Sequence, residues 1–525
     1  MEEEKICPYP GLRPFNEEES IFFRGREEHI EKIISQLEEK KFLMLTGASG
    51  DGKSSLVYAG VIPNARAGFF KAKFNNWLIA DLRPERSPLN NLAVSLAEKL
   101  NLQTEEVEKS LKFGFNSLVN LYKNSAFHLD YNDSNYKNST EQEQKKLKRG
   151  AANLFILVDQ FEEFFTNPEN YKDGQASNES QLVVNLLLET AQIALAENLP
   201  IYIVCTMRSD YIGQCAAFRG LPEFIGFSQF FVPRLKRKEI QQVISEPALL
   251  SGNSISSRLV ETLINEIGDG FDQLPVLQHA LNRIWHKTEK GKFEMDLLHL
   301  AMVGGLTPDQ LPESDKLIYQ NWFEKVASSK KLFFNKASLD AVLNAHAYEL
   351  FETAHEYYNA THADKIEKAE AQRIIKTAFQ CLTKIDESRA VRNRMSLLEI
   401  TEIINDPEIS VEKVDGVLEL FRLQGNTFLK PFAHGTENEV LQLEAETVLD
   451  ITHESLIRNW DILQKWADEE HENWLTFQDF NKQLQRWLSN GKAAGFLLRV
   501  AEIFSPRSRS LMLNTMIWPA RLRLA

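Results

Sequence analysis

The sequence predicts an α/β fold built on a parallel sheet, with a phosphate-binding loop at its edge and helical domains behind it. Two stretches carry that prediction. In "LMLTGASGDGKSSLV" (43–57) an apolar run opens into three glycines, a lysine and two hydroxyl residues. In "NLFILVDQFEEFF" (153–165) five consecutive apolar residues, Leu154 to Val158, end in Asp159. Strands buried on both faces read in this way, and α/β sheets bind ligands beyond the carboxyl ends of their strands.

Taken in chain order, Pro8, Pro10 and Pro14 resist helix, so residues 1–24 are expected to form an extended strap. "KFLML" (41–45) has the pattern of a buried strand. It runs directly into "GASGDGKS", which fits G-x-x-x-x-G-K-[ST] with Gly47, Gly52, Lys53 and Ser54 on the fixed positions. Glycines let the backbone curl so that N–H groups point inward at a phosphate. The expected nucleotide cradle is therefore Gly47, Ala48, Ser49, Gly50, Asp51, Gly52, Lys53, Ser54 and Ser55. Lys53 bridges β- and γ-phosphate oxygens, Ser54 ligates Mg²⁺, and "SSLVYAGVI" opens a helix whose positive end lies beneath the anion.

"WLIADL" (77–82) reads as a second strand. The polar tract ending in "KKLKRG" (145–150) is expected to be a solvated loop. Asp159 then supplies the acid on the metal side. Glu162 and Glu163 follow within reach of the γ-phosphate, where one carboxylate could polarise the attacking water. After the apolar helix pattern "QLVVNLLLETAQIALAE" comes the strand "IYIVCTMRSD" (201–210), ending in Thr206 and Arg208. Arg208 either senses a γ-phosphate or pairs with Asp210. "QFFVPRL" (229–235) supplies a fifth strand, and an additional strand is expected between the two that carry the phosphate site.

Composition constrains the function class. A net charge of −14 argues against a surface made for nucleic-acid phosphates. No run approaches the roughly 18 apolar residues of a membrane helix, and the acidic amino terminus "MEEEKICPYP" lacks an apolar signal region. Four cysteines without metal-binding spacing fit a cytoplasmic protein with reduced thiols.

The series "CPYPGLRPF" (7–15), "FFRGREEHI" (22–30), the phosphate loop with "KSSLVYAGVIP", "VDQFEEFF", "TMRSD", "LPVLQHALNRIW" (274–285) and "ITHESLIRNW" (451–460) resembles the bacterial novel STAND NTPase domain of the first type. The resemblance covers about residues 7–490. It implies a Mg²⁺-dependent ATPase switch in bacterial signalling or anti-phage defence. In such switches an α/β P-loop core, a helical lid and a winged-helix domain close over ADP, and exchange for ATP opens the module to form a homo-oligomer. The same resemblance implies that Gly25 and Arg26 border the adenine, that Pro275 packs on the base or ribose, and that His453 touches the β-phosphate of ADP. Each of the last two has a plainer alternative: Pro275 as a helix-starting proline, His453 as a residue that caps or packs a helix. The Met and Asp that usually flank that histidine are Thr452 and Glu454 here.

The expected domains are the strap (1–24), the P-loop core (25–235), a helical lid (236–310), a winged-helix region (311–470) and a carboxyl-terminal helical segment (471–525). "TPDQLPESDK" (307–316) reads as a linker. The two runs in "NTFLKPFAHGTENEVLQL" read as the wing, and Trp460, Trp466, Trp474 and Trp487 read as core packing. An effector or sensor is expected as a separate polypeptide or beyond residue 525. Two other classes fit parts of the pattern: a DNA-loading ATPase, and a nucleotide-binding scaffold without turnover, since Gln160 stands where many ATPases place a glutamate.

Overall fold

The structure, a computed structural model, describes residues 6–491 except 269, 271, 327–330, 332–333, 335–336, 387–388 and 434–441. The tail expected to be helical therefore lies largely outside the described residues. The chain divides into two compact units: residues 14–250 with 269–274, and residues 1–13 with 251–268 and 275–525.

The first unit is built on a five-stranded sheet. Its strands are β1 (Phe42–Gly47), β2 (Asn76–Leu82), β3 (Ala152–Val158), β4 (Ile201–Arg208) and β5 (Gln229–Phe231), in spatial order β2-β3-β4-β1-β5. All pairings are parallel. β1 and β3 are buried along their whole length, as their unbroken apolar runs require. Helices cover both faces. α1 (Glu27–Lys40) packs Ile33, Ile34 and Leu37 on one side; α2 (Pro88–Leu100) contributes Leu92, Ala93 and Leu96 on the other.

Register brings the strand ends to one edge. Gly47 pairs with Arg208, Val158 with Cys205, and Leu82 with Val158. The residues that follow, the phosphate loop, Asp159 and Arg83, leave the sheet on that edge. The strand β4 separates β1 from β3, opening room between their ends.

The basic tract is not a loop. Residues Glu141–Gly150 form α3, started by a capping box in which Thr140 and Glu143 satisfy each other's backbone N–H groups. The T-x-x-E spacing followed by good helix formers decides it, and no residue of α3 is buried, so the run is solvated all the same. The apolar pattern at 181–197 falls in α4 (Asn178–Ala196), capped by Ser177, and α5 (Arg237–Leu250) completes the unit.

The second unit is mostly helical: α6 (Ser257–Glu266), α7 (Gln273–Lys287, most of which belongs here), α8 (Leu297–Met302), α9 (Glu313–Glu324), α10 (Leu339–Thr361) and α11 (Lys368–Cys381). The expected linker is structured, because Arg258 bridges Asp296 and, at 3.0 Å, Asp315 in the first turn of α9. Beyond α11 come a hairpin, β6 (Thr383–Asp386) with β7 (Arg389–Arg392), and an antiparallel sheet in the order β8 (Arg394–Ser396), β10 (Val448–Ile451), β9 (Leu429–Lys430). α12 (Leu397–Ile404) and α13 (Val411–Glu419) lie between β8 and β9 in sequence, and α14 (Glu454–Asn459) and α15 (Asp461–Ser489) follow β10.

The first wing run contains β9, which pairs antiparallel with β10. Residues 439–441 lie outside the described residues, and the Leu443 N–H donates to Asp415 Oδ2 at 3.0 Å instead of to a ladder. Trp460 is fully buried among Phe379, Phe421 and Trp466. Trp474 instead is exposed and stacks on Phe477. No described helix is long and apolar enough to cross a membrane.

Candidate nucleotide site

The phosphate loop joins β1 to a helical run through Lys53–Ser55, Leu56–Val61 and Ile62–Arg66. Gly50 and Gly52 both adopt φ +82°, in the left-handed region that side chains resist. At Gly50 space is short as well, since a Cβ there would lie 2.6 Å from the Cα of Asp272. Within the loop Ala48 N–H donates to Asp51 Oδ2 at 2.6 Å, and Lys53 Nζ donates to the carbonyls of Gly47 at 3.0 Å and Ala48 at 2.7 Å. Burial lowers the Lys53 pKa, and the negative charges of Glu162 and Asp51 act against that shift.

Asp159 is fully buried at the end of β3. Its Oδ1 accepts from Ser54 Oγ and Thr206 Oγ1, each at 2.7 Å, and its Oδ2 pairs with Arg83 Nη2 at 3.2 Å. Thr206 in turn accepts from Gln160 N–H at 3.0 Å, so the turn after β3 is tied to β4. Gln160 holds φ +59° there.

Glu162 and Glu163 have different surroundings. Glu163 is buried and its Oε2 accepts from Glu85 N–H at 3.0 Å, bracing the loop after β2. Glu162 is half-buried and accepts from Arg208 N–H at 3.2 Å. Burial raises the Glu162 pKa, with the Lys53 ammonium the strongest opposing influence. The Arg208 guanidinium pairs with Asp210 at 2.5 Å and lies 5.6 Å over the Tyr211 ring.

On the other side of the loop, Arg26 is buried, and its guanidinium donates to the carbonyls of Pro233 at 2.6 Å and Asp51 at 3.0 Å. Burial brings its pKa down to about 10. Gly25 precedes it at φ +78°, and a Cβ there would meet the Glu239 carbonyl at 2.6 Å. The strap is tied in where Phe15 N–H donates to Ser55 Oγ at 3.1 Å.

Pro275 and His453 belong to the second unit. Pro275 lies in the first turn of α7, a position its missing N–H tolerates. His453 is the N-cap of α14, its Nδ1 accepting from Ser455 N–H at 3.1 Å.

The donor set suits the groups a phosphate loop serves. Ser54 gives its hydroxyl proton to Asp159, which leaves the oxygen lone pairs for a cation, and a hydroxyl beside a carboxylate is the hard oxygen chemistry Mg²⁺ prefers. Among the described residues no larger His, Cys, Asp or Glu cluster could hold a metal.

The model of the novel STAND NTPase 1 family matches residues 8–317 and 332–495. The chain belongs to that family. No curated protein matches this STAND NTPase. Among solved structures it is similar to the ORC2 protein of Aeropyrum pernix in ADPNP–ADP complexes, at 12% identity over 76% of this chain and 97% of that one, with a TM-score of 0.36. It is also similar to the Walker-type ATPase PABY2304 of Pyrococcus abyssi, at 11% identity over 86% and 99%, TM-score 0.30. A third is the ORC1 protein of Aeropyrum pernix in complex with DNA, at 11% identity over 84% and 94%, TM-score 0.33.

Two residues of this STAND NTPase site escape motif reading. Arg83 directly follows β2, and the rule that ligands gather at strand carboxyl ends points to it. Asp272 touches Gly50 through its backbone, and nothing in sequence signals such a contact.

Proposed function

We propose that this STAND NTPase is an ATP-binding, slowly hydrolysing molecular switch of the cytoplasm, in bacterial signalling or anti-phage defence. The observation that supports it best is the convergence of Lys53, Ser54 and Asp159 at one sheet edge, on a loop whose glycines hold left-handed backbone. Backbone N–H groups from Gly47 to Ser55 receive the phosphates, and Lys53 leaves its loop carbonyls for phosphate oxygens. Mg²⁺ when bound, held by Ser54 and Asp159, supplies positive charge to the phosphate oxygens. Arg208 exchanges Asp210 for a γ-phosphate, and Gly25 and Arg26 border the base.

Of the two acids, Glu162 is the proposed base. Its carboxylate faces the Lys53 charge, and its raised pKa strengthens proton acceptance, whereas Glu163 is spent on Glu85. Residues 236–310 then serve as lid, with Pro275 against the nucleotide. Residues 311–470, with the sheet β8-β10-β9, form the winged-helix region whose His453 reads the β-phosphate of ADP. ADP keeps the module closed, and ATP opens it to a homo-oligomer that engages a separate effector. No nucleic-acid partner is proposed, given the −14 charge.

A scaffold that binds without turnover is the second reading, favoured by Gln160 at the usual glutamate position. Equilibrium binding of ATP tests the shared premise: Lys53→Ala loses affinity at least about a hundredfold with the fold retained. Unchanged affinity would end both readings. Phosphate release by the wild type then decides between them, and size-exclusion chromatography with ADP against a non-hydrolysable ATP analogue tests oligomerisation.

A further inference from the structure

The second unit contains a cavity of about 340 Å³ between α7, α8, α9 and α10, outside the nucleotide site of the first unit. That volume lies in the range of small-molecule pockets, roughly 300–1,000 Å³. It is far beyond the roughly 10–15 Å³ that one ordered water needs. Cavities that stay empty are apolar, and this one is not. Among the described residues Arg283, Lys287 and Lys325 line it, against one acid, Glu349.

Glu349 Oε2 pairs with Arg283 Nη2 at 3.0 Å, one carboxylate among three cationic side chains of the described lining. The adjoining His346 adds no charge at neutral pH, since burial holds its pKa well below the ordinary value. The described lining therefore carries more cationic than anionic side chains. Beside the ammonium groups the wall is aromatic. Trp322 and Phe334 meet nearly edge to face, 5.6 Å apart at 78°, and Lys287 Nζ sits 5.6 Å over the Trp322 ring. An aromatic corner beside ammonium groups selects a planar body carrying an anionic head.

Trp322 and Lys325 fall at 318–331, between the two segments that match the family model. Trp322 and Lys325 thus lie outside the shared pattern, whereas Phe334 lies within its second segment. We propose that the cavity is a second binding site, for a small planar anion bearing a carboxylate, sulfonate or phosphate, distinct from the phosphate-loop site.

The probe is 1-anilinonaphthalene-8-sulfonate, titrated by fluorescence against the full chain in saturating Mg-ATP. The expected result is saturable one-to-one binding, weakened at least about tenfold in Lys287→Glu/Lys325→Glu, where two attractive charges become repulsive. Both lysines reach solvent, and an unchanged melting temperature verifies the fold. Ala345→Met, which narrows the same cavity without touching charge, should weaken the dye too. The proposal is overturned if no saturable binding occurs, if Mg-ATP displaces the dye from the wild type, or if both variants bind it within twofold of the wild type.

Discussion

The Ser54 hydroxyl donates to Asp159 Oδ1 at 2.7 Å, joining the start of the phosphate-loop helix to the end of β3 across 105 residues of chain. Asp159→Asn keeps acceptors for Ser54 and Thr206 but removes the negative charge. Mg²⁺ should then add little to ATP affinity: the gain on going from EDTA to Mg²⁺ falls at least about tenfold, since a hard cation prefers an ionised oxygen. Fluorescence anisotropy of labelled ATP in the two buffers reads this directly. An undiminished Mg²⁺ gain would remove Asp159 from the metal side.

Glu162→Gln should bind ATP with ordinary affinity yet lose turnover by about 10²–10⁴, the usual contribution of a positioned base. A pH arm adds a second readout. The folded pKa of Glu162 is raised by burial, so its contribution to stability is fully present below the unfolded value and is lost as pH rises through the folded one. At pH 8 the Gln variant, with no carboxylate to ionise, should therefore be at least as stable as the wild type in urea. A less stable variant with intact turnover would mark Glu162 as structural.

Much of this site is legible in sequence because its parts are local. The loop spacing, the apolar run ending at Asp159 and the strand ending at Arg208 are each written in a dozen residues, and parallel pairing then aligns their ends by register. What is not legible depends on tertiary choice. Val448–Ile451 pairs with β9, and the Leu443 N–H bonds to Asp415, choices that no local pattern encodes. The "KKLKRG" tract misleads for a different reason: its capping box at Thr140 lies upstream of the charges that draw attention. Trp474 lies on the same helix as the buried Trp466, but only packing decides which face of α15 is covered.

His279 and His346 stack at 5.1 Å between ring centroids, both buried, with His346 Nδ1 and His279 Nε2 3.3 Å apart. Burial takes the His279 pKa down to about 3 and holds His346 well below the ordinary value. For such groups stability is fully present above the unfolded pKa of 6.5 and is lost as pH falls toward the folded value, because only the unfolded chain takes up the protons. By pH 5 the loss from His279 is on the order of 2 kcal/mol, and His346 adds to it in the same direction. Urea unfolding at pH 7.5 and 5.0 should show it, and His279→Gln/His346→Asn should shrink the difference. An equal drop in that variant would assign the acid sensitivity elsewhere.

Arg422 is fully buried and bonded through Nη1 to Asp415 Oδ1 at 2.5 Å, while its Nε donates to the Pro431 carbonyl at 2.8 Å. Burial pushes the Asp415 pKa up and that of Arg422 down, as expected for two charges taken out of water. The pair is thus costly to form and costlier to break. Asp415→Ala removes the acid bonded to a buried guanidinium and the acceptor of the Leu443 N–H, which should cost about 3–5 kcal/mol. Adding Arg422→Met removes the stranded charge and should recover a large share of that loss, because apolar replacements of buried ion pairs are often neutral. Tryptophan fluorescence during urea unfolding follows both variants. If the single variant is as stable as the double, desolvation is not what governs this pair.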